Sequence, residues 1–210
     1  MKKKFTFIIP NTTWFGKRYW HNIPYIEALL AAVLKQKGYE VDVIDANLDN
    51  LDEEQLEKQI RQKSPEIVGI GEMALEYRDC VHKSFEIVKK VNQNTITIIG
   101  GIYPTLSPEI VTKDKNIDYF VFGEGEERLL ALIEAIKKGS GFENIDGLAY
   151  RKNEQLIMNQ RLMSGIKDLD SLPLPDYSIF DMKRYMNYQQ KFTQNFKFKQ
   201  LPIGIIMTSR

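Results

Sequence analysis

Two glycine-containing turns are the features of this 210-residue sequence that most favour a binding site. Gly100-Gly101 follows one run of β-branched residues, and Gly123-Glu-Gly-Glu126 follows an apolar run further along. Glycines at the end of a strand leave no Cβ in the way, so a flat or bulky ligand can approach the backbone. Glu124 could accept hydrogen bonds from ligand amides. Glu126 and Glu127 are typical of the first turn of a helix, where they favour its dipole.

The loops around these turns leave alternatives open. A tight turn alone would explain Gly100-Gly101, but the rigid, hydroxyl-bearing stretch Ile102–Pro108 favours a ligand wall. The loop Pro10–Asn22 combines cations with four aromatic residues, Trp14, Phe15, Tyr19 and Trp20. Such a loop can stack on nucleic-acid bases, form a floor beneath a ring system or pack on the sheet edge. We favour the last two interpretations over nucleic acid.

Several familiar kinds of site are disfavoured or excluded by the spacing and number of the residues they need. The turn Pro10–Trp14 has no glycine, and the G-x-G-x-x-A string that begins at Gly69 follows the third predicted strand instead of the first, which disfavours a dinucleotide site. The single cysteine, Cys80, excludes an internal disulfide and a cysteine cluster. His82 lies in a predicted helix far from His21, so no metal constellation is visible. No residue is assigned to acid–base catalysis, because no titratable pair converges.

Composition narrows the class of protein further. The sequence has 29 Lys and Arg against 28 Asp and Glu, a net charge of +1, which disfavours wholesale coating of polyanions. Hydrophobic residues make up 43% of the chain, enough for a core. No apolar run approaches the ~20 residues of a membrane span. The apolar stretch Phe5–Ile9 is too short for a signal peptide. We therefore expect a cytoplasmic protein.

Short apolar runs alternate with helical patterns about five times, which predicts an α/β fold. The runs lack polar alternation, as is typical of parallel strands covered on both faces. We predict a doubly wound, Rossmann-like parallel sheet of about five strands: Phe5–Ile9, Val41–Ile44, Ile67–Ile70, Thr95–Ile99 and Tyr119–Phe122. Ligands of such sheets bind beyond the carboxyl ends of the strands. The loops to consider are Pro10–Asn22, Gly71–Glu76, Gly100–Ser107 and Gly123–Glu127.

The pattern changes after Gly139. We predict an α/β domain over residues 1–140, a small β-hairpin and extended linker over 141–200, and a further strand over 201–210. The stretch Lys183–Lys199 has five basic residues, no acidic ones and several aromatics, which motivates nucleic-acid binding as a rival. We expect the tail from about Leu172 to be poorly packed on its own domain, or buried in a second copy, because Ile203–Met207 would be an unpaired apolar strand.

Five ordered motifs resemble a known family. They are Asn22–Asp45, Gly100–Glu109, Tyr119–Glu126, Leu172–Asp176 and Ile203–Arg210. Together they resemble the N-terminal, flavodoxin-like cobalamin-binding domains of radical S-adenosylmethionine enzymes, which include methyltransferases and Mg-protoporphyrin oxidative-cyclase-like relatives. The Asp-x-His-x-x-Gly signature that supplies a cobalt ligand in many cobalamin domains is absent. The sequence also ends before the cysteines that would bind an iron–sulfur cluster.

The resemblance implies a function and a partner. It implies a cobalamin-binding module of a larger enzyme for methyl transfer or oxidative cyclisation, not catalytic alone, whose missing radical S-adenosylmethionine barrel is its partner. S-adenosylmethionine and a [4Fe-4S] cluster would belong only to the full-length enzyme. The alternative is a cofactor-free docking module of the same fold. The corrin would contact four groups of residues: Asn11, Thr12, Thr13 and Trp14; Met73, Ala74 and Leu75; Gly100, Gly101, Ile102, Tyr103, Pro104 and Thr105; and Gly123, Glu124, Gly125 and Glu126.

Overall fold

The structure is a computed structural model that describes residues 4–17, 22–72, 74–153, 155–162 and 165–192, without the side chains of Glu72 and of residues 189–192. Seven strands form one sheet: β1 Lys4–Ile9, β2 Glu40–Asp45, β3 Ile67–Glu72, β4 Ile96–Gly101, β5 Tyr119–Val121, β6 Leu148–Lys152 and β7 Gln155–Met158. The helices are α1 Tyr25–Gln36, α2 Glu53–Lys63, α3 Arg78–Val91, α4 Ile102–Leu106, α5 Pro108–Val111, α6 Glu126–Lys138 and α7 Met182–Phe192.

The strand order is β2-β1-β3-β4-β5-β6-β7. The first five strands pair in parallel, and β6 and β7 form an antiparallel hairpin that continues the sheet beyond β5. One hydrophobic cluster packs α2 and α3 against one face of the sheet. A second cluster packs α1 and α6 against the other face. The predicted doubly wound parallel sheet with a C-terminal hairpin is therefore confirmed.

Two helix boundaries agree with local sequence signals: Asp52 predicts the start of the second helix, and Gly139 predicts the end of the last helix of the α/β domain. The side chain of Asp52 accepts from the backbone N–H of Gln55, and the Gln55 side chain accepts from the N–H of Asp52, which is a complete capping box for α2. Helix α6 begins at Glu126 and ends before Gly139, whose φ of 68° suits glycine.

The stretch after Gly101 differs from the sequence-based prediction. The stretch predicted to be a rigid loop forms a short helix, α4, which Ser107 joins to α5. The backbone of this stretch makes helical hydrogen bonds, for example from the Ser107 N–H to the Tyr103 carbonyl at 3.0 Å, although its prolines and hydroxyls also suit a loop. The sequence predicts the start of a short helix at Pro108, and α5 confirms it.

The C-terminal segment packs more closely than the sequence predicted. Phe180 and Tyr185 are buried in a third cluster with Ile23, Ala28 and Leu48. A backbone bond of 2.9 Å from Asp176 to the Ala28 carbonyl holds the segment against α1. The prediction of poor packing from about Leu172 is therefore wrong for the described part of this tail. The predicted strand 203–207 lies outside the described residues.

A salt bridge adds to this contact. Lys35 Nζ lies 2.6 Å from an Asp176 carboxylate oxygen. Hydrogen bonds from Lys35 and from Ser178 lower the pKa of Asp176 to about 2.

No helix in the described part of the chain is long and apolar enough to cross a membrane.

Candidate functional site

A cavity of about 430 Å³ lies where α1 and the start of α6 cover the carboxyl ends of β3, β4 and β5. Its walls are almost wholly apolar, with polar groups near Thr105, Glu124 and Glu126. Its volume falls in the range of small-molecule sites, which are concave, mainly apolar and furnished with a few polar groups. The position matches the ligand edge expected for a doubly wound sheet.

Glycines form much of the cavity wall. We call Gly100–Gly101 and Gly123–Gly125 the glycine turns. A Cβ added at Gly100 would meet only Val121, at 3.7 Å, and one at Gly125 would meet only Leu30, at 3.6 Å. Side chains at these two positions would therefore fit the backbone and occupy cavity space. A bound ligand can use that space instead.

The other two glycines of these turns have backbone conformations that favour glycine. Gly101 has a φ of 103° and Gly123 a φ of 78°, conformations that residues with a Cβ rarely adopt. Both glycines line the cavity. The sequence predicts ligand contacts at these glycines because they have no side chains. The structure adds a second reason for glycine, the positive φ.

Helix α1 supplies the opposite wall. The sequence predicts one buried face that includes Ile26, Leu29, Leu30, Val33 and Leu34. Leu29, Val33 and Leu34 are buried. Ile26 and Leu30 are only partly buried, and both line the cavity together with the buried Leu29. Helical periodicity gives the same signal for a side chain that contacts the core and for one that contacts a ligand, so the sequence could not separate them.

The structure brings part of the predicted site together. The predicted residues that line the cavity are Gly100, Gly101, Ile102, Thr105, Gly123, Glu124, Gly125 and Glu126. Ala74 and Leu75 precede α3 and do not line it. Met73 lies outside the described residues.

Tyr103 and Pro104 are buried on the opposite side of α4. The Tyr103 hydroxyl lies 2.7 Å from His82 Nε2, and His82 Nδ1 lies 2.6 Å from the carboxylate of Asp114. Burial raises the pKa of Asp114, but hydrogen bonds from His82 and the Asn116 N–H outweigh it and keep that pKa below its ordinary value. This network anchors α4 to α3 and leaves His82 turned away from the cavity.

The predicted residues of the first loop form a separate structure. We call residues 11–14 and 46–51 the asparagine loops, because Asn11, Asn47 and Asn50 join them. Asn11 Nδ2 donates to the Leu51 carbonyl at 2.9 Å, and the Thr12 hydroxyl donates to Asn47 Oδ1 at 2.7 Å. None of these residues lines the cavity.

The remaining two first-loop residues are also engaged. The Trp14 indole N–H donates to the Leu51 carbonyl at 3.0 Å, and the Thr13 hydroxyl donates to Asn11 Oδ1 at 2.8 Å. The sequence analysis missed the partners Asn47 and Asn50. Their position just after β2, at the same edge as the first loop, is a signal that could have found them.

Glu124 has a partner within the chain. Its carboxylate accepts a hydrogen bond from the backbone N–H of Ile166 at 2.7 Å, and its carbonyl accepts one from Arg128 Nη1 at 2.7 Å. Glu124 therefore acts as a hydrogen-bond acceptor between this turn and the segment after β7. An acceptor role toward a ligand stays a prediction.

Comparison with known proteins decides the family. Residues 19–133 match the family described as the B12 binding domain. The chain belongs to the B12-binding domain family. The resemblance to cobalamin-binding domains of radical S-adenosylmethionine enzymes is thereby confirmed at the level of the family.

Curated relatives of this B12-binding domain are longer proteins. An uncharacterized methyltransferase of Pyrococcus horikoshii is 30% identical over 184 residues, which are 87% of this chain and 37% of the relative. An anaerobic magnesium-protoporphyrin IX monomethyl ester cyclase of Rubrivivax gelatinosus is 31% identical over 164 residues, 76% of this chain and 29% of that protein. The chain thus spans about a third of the length of these relatives.

Solved structures support the fold of the B12-binding domain. The cobalamin-dependent S-adenosylmethionine radical enzyme OxsB, with aqua-cobalamin and S-adenosylmethionine bound, matches with a TM-score of 0.72 at 18% identity over 89% of this chain and 25% of its own. The radical S-adenosylmethionine methyltransferase TsrM from Kitasatospora setae, with cobalamin and a [4Fe-4S] cluster bound, matches with a TM-score of 0.65 at 20% identity over 83% of this chain and 31% of its own.

The residues of this B12-binding domain fit part of a corrinoid. Cobalamin combines a flat macrocycle with a nucleotide arm, and a cavity of about 430 Å³ has room for a heterocycle but not for the whole cofactor. The space at Gly100 and Gly125 is a cradle that side chains would fill. In the described part of the chain, no three His, Cys, Asp or Glu residues are grouped to hold a metal ion. His21 lies outside that part.

Proposed function

We propose that this chain is the cobalamin-binding module of a larger radical S-adenosylmethionine enzyme that carries out methyl transfer or oxidative cyclisation. The family match supports the cofactor, and the activities named for the methyltransferase and cyclase relatives support the two reaction classes. The barrel that would bind S-adenosylmethionine and a [4Fe-4S] cluster is the partner we propose. A cytoplasmic location is part of the same proposal, supported by a single, buried cysteine.

The observation that carries the proposal is the apolar, glycine-walled cavity at the carboxyl edge of the parallel sheet. Ile26 and Leu30 exclude water from one side of it, and the glycine turns allow close backbone approach from the other. We propose that the heterocycle of the nucleotide arm enters this cavity, because the macrocycle is too large for it. The macrocycle then rests outside, across the loops at the same edge.

The chain's own contribution is binding and orientation. When bound, cobalamin supplies methyl-group or redox chemistry, which belongs to the cofactor and not to the protein. Thr105, Glu124 and Glu126 bring polar atoms to an otherwise apolar site, and such groups fix the orientation of a ligand. The nitrogens of His82 are both engaged with Asp114 and Tyr103, which supports a cobalt without His82 as a ligand.

Titration with hydroxocobalamin tests this function directly. The purified chain should shift the visible spectrum of the corrin saturably. Leu30→Trp adds bulk inside the cavity and should abolish the shift at concentrations that saturate the wild type. Leu174→Trp is the matched control, because Leu174 is 89% exposed and should bind normally. Circular dichroism checks that both variants fold.

A wild-type chain that leaves the corrin spectrum unchanged would overturn the proposal and favour the cofactor-free docking module. Equal binding by wild type and a folded Leu30→Trp variant would show that cobalamin binds elsewhere. A folded Ile26→Phe variant gives a second test of the same wall if Leu30→Trp is unstable.

A further inference from the structure

Thr105 connects the two glycine turns. Its hydroxyl donates to the Gly101 carbonyl at 2.7 Å and accepts from the Gly123 N–H at 2.9 Å. Gly101 ends β4 and Gly123 follows β5, so this one oxygen bridges the turns after two neighbouring strands. Its donor and one of its acceptor positions are both used, which fixes the direction of the O–H bond.

Both bonds end on glycines with positive φ. Gly101 and Gly123 can rotate more freely than residues with a Cβ, so their turns depend on outside contacts to keep one conformation. Thr105, Gly101 and Gly123 all line the cavity. The bridge therefore holds two stretches of cavity wall at one separation.

Arg161 makes a second contact that holds α4 in place. Arg161 Nη2 donates to the Thr105 carbonyl at 2.8 Å, and the Arg161 guanidinium lies over the Phe122 ring at 4.7 Å from its centroid. Phe122 directly precedes Gly123. The backbone of Thr105 is thus fixed by a residue that also contacts the β5 side, and the hydroxyl is aimed between the turns.

We propose that Thr105 is a positioning residue for the cofactor: its hydroxyl ties the glycine turns together and keeps the cavity ready to receive a corrinoid. The inference rests on the proposed function. Loss of the hydroxyl leaves the turns free to move apart, so binding must first restore their separation. A ligand that binds only one of several conformations binds more weakly by the fraction of the competent one.

Thr112 provides a matched control. Its hydroxyl donates to the Pro108 carbonyl at 2.6 Å, the same bond to the carbonyl four residues earlier that Thr105 makes to Gly101. Thr112 is buried and does not line the cavity. Thr112→Val therefore removes a comparable hydroxyl without touching the glycine turns.

The test compares Thr105→Val, Thr105→Ala, Thr105→Ser and Thr112→Val with the wild type. Hydroxocobalamin titration gives the dissociation constant, and hydrogen exchange of the Gly123 amide without cofactor reports the bridge itself. Thr105→Val and Thr105→Ala lose both bonds of the bridge, and we expect them to weaken binding roughly tenfold and to speed exchange at Gly123. Thr105→Ser should restore both, and Thr112→Val should change neither.

Affinity and Gly123 exchange equal to wild type in folded Thr105→Val and Thr105→Ala would overturn the inference while leaving the proposed function intact. Equal losses in Thr105→Val and Thr112→Val would also overturn it, because a general loss of stability would then explain both. A wild-type chain that binds no hydroxocobalamin would overturn the proposed function, and this inference with it.

Discussion

The glycine turns lie at the carboxyl ends of β4 and β5, whereas the asparagine loops follow the carboxyl ends of β1 and β2. The glycine turns line an apolar cavity that no side chain of the protein fills. The asparagine loops fill their space with hydrogen bonds between their own side chains and backbone. One edge of the sheet therefore carries an apolar cavity, where we propose that the ligand binds, and a region whose polar groups bond to one another.

This difference implies that the two regions contribute differently to ligand affinity and to stability. Buried polar groups are stabilised by partners, and the asparagine loops provide those partners internally. Apolar space without a side chain has no such compensation, so the glycine turns gain most from a bound heterocycle. We therefore expect substitutions in the glycine turns to change affinity, and substitutions in the asparagine loops to change mainly stability.

The largest effect is expected for Gly100→Val. The added side chain occupies cavity space but meets no atom closer than 3.7 Å at its Cβ, so the fold should persist. We expect hydroxocobalamin affinity to fall more than a hundredfold, about 3 kcal/mol or more. Gly101→Val is the informative partner variant: its φ of 103° predicts lower stability as well. Titration together with thermal unfolding separates the two, and an unchanged affinity for Gly100→Val would contradict the cavity assignment.

A second prediction concerns Asp45, at the end of β2 beside the asparagine loops. Burial raises its pKa from 3.8 to about 6, against hydrogen bonds from the Tyr185 hydroxyl and the Leu48 N–H. The folded state then binds the proton more tightly than the unfolded state. This stabilisation is complete below about pH 4 and is lost as the pH rises through about 6.

Asp45→Asn should remove that dependence. We expect the variant to match the wild type near pH 4 and to exceed its free energy of unfolding by about 2 to 3 kcal/mol near pH 7, from a pKa difference of about two units. Denaturant unfolding between pH 4 and pH 8 measures the difference between the two proteins. A wild-type advantage that grows with pH would have the opposite sign and would contradict the prediction.

A smaller effect is expected within the asparagine loops. Asn11→Ala removes the bonds of its amide to the Leu51 carbonyl and to Asn50. We expect a loss of about 1 to 2 kcal/mol in the free energy of unfolding. Hydroxocobalamin affinity should change less than threefold while the protein is folded. Thr13→Val, at a more exposed position in the same loop, should lower the free energy of unfolding by less. A tenfold loss of affinity for either variant would show that the asparagine loops contact the cofactor.

The smallest effect is expected for Tyr103→Phe. Tyr103 lies on α4 with Thr105, but its hydroxyl contacts His82 and not the glycine turns. We expect a loss of about 1 kcal/mol or less in stability and little change in affinity. Thermal unfolding and titration check it. An affinity loss as large as that of Thr105→Val would show that any disturbance of α4 weakens binding, and would remove the distinction between its two sides.

The elements and the glycine turns could be predicted from the sequence because their signals are local. Strand composition, the Asp52 cap and the glycines after β4 and β5 each act within a few residues. The helix α4 was missed because Pro104 and the neighbouring hydroxyls also suit a loop. The pairing of Thr105 with Gly123 was beyond sequence reasoning, since it joins turns that only the strand order brings together.

The part played by Asn11–Trp14 could not be read from the sequence either. Residue types that suit a ligand contact also suit internal hydrogen bonds, and the choice depends on Asn47 and Leu51, which the topology places opposite them. The same ambiguity applies to the tail, where Tyr185 belongs to the basic, aromatic stretch Lys183–Lys199 and is buried with Ile23 and bonded to Asp45.

Hydrogen exchange with and without hydroxocobalamin tests the difference between the glycine turns and the asparagine loops most directly. At saturating cofactor, the backbone amides of Gly100, Gly101, Gly123 and Gly125 should exchange more slowly, and those of residues 46–51 should be unchanged. Protection confined to residues 11–14 and 46–51, with none at the glycine turns, would contradict the account.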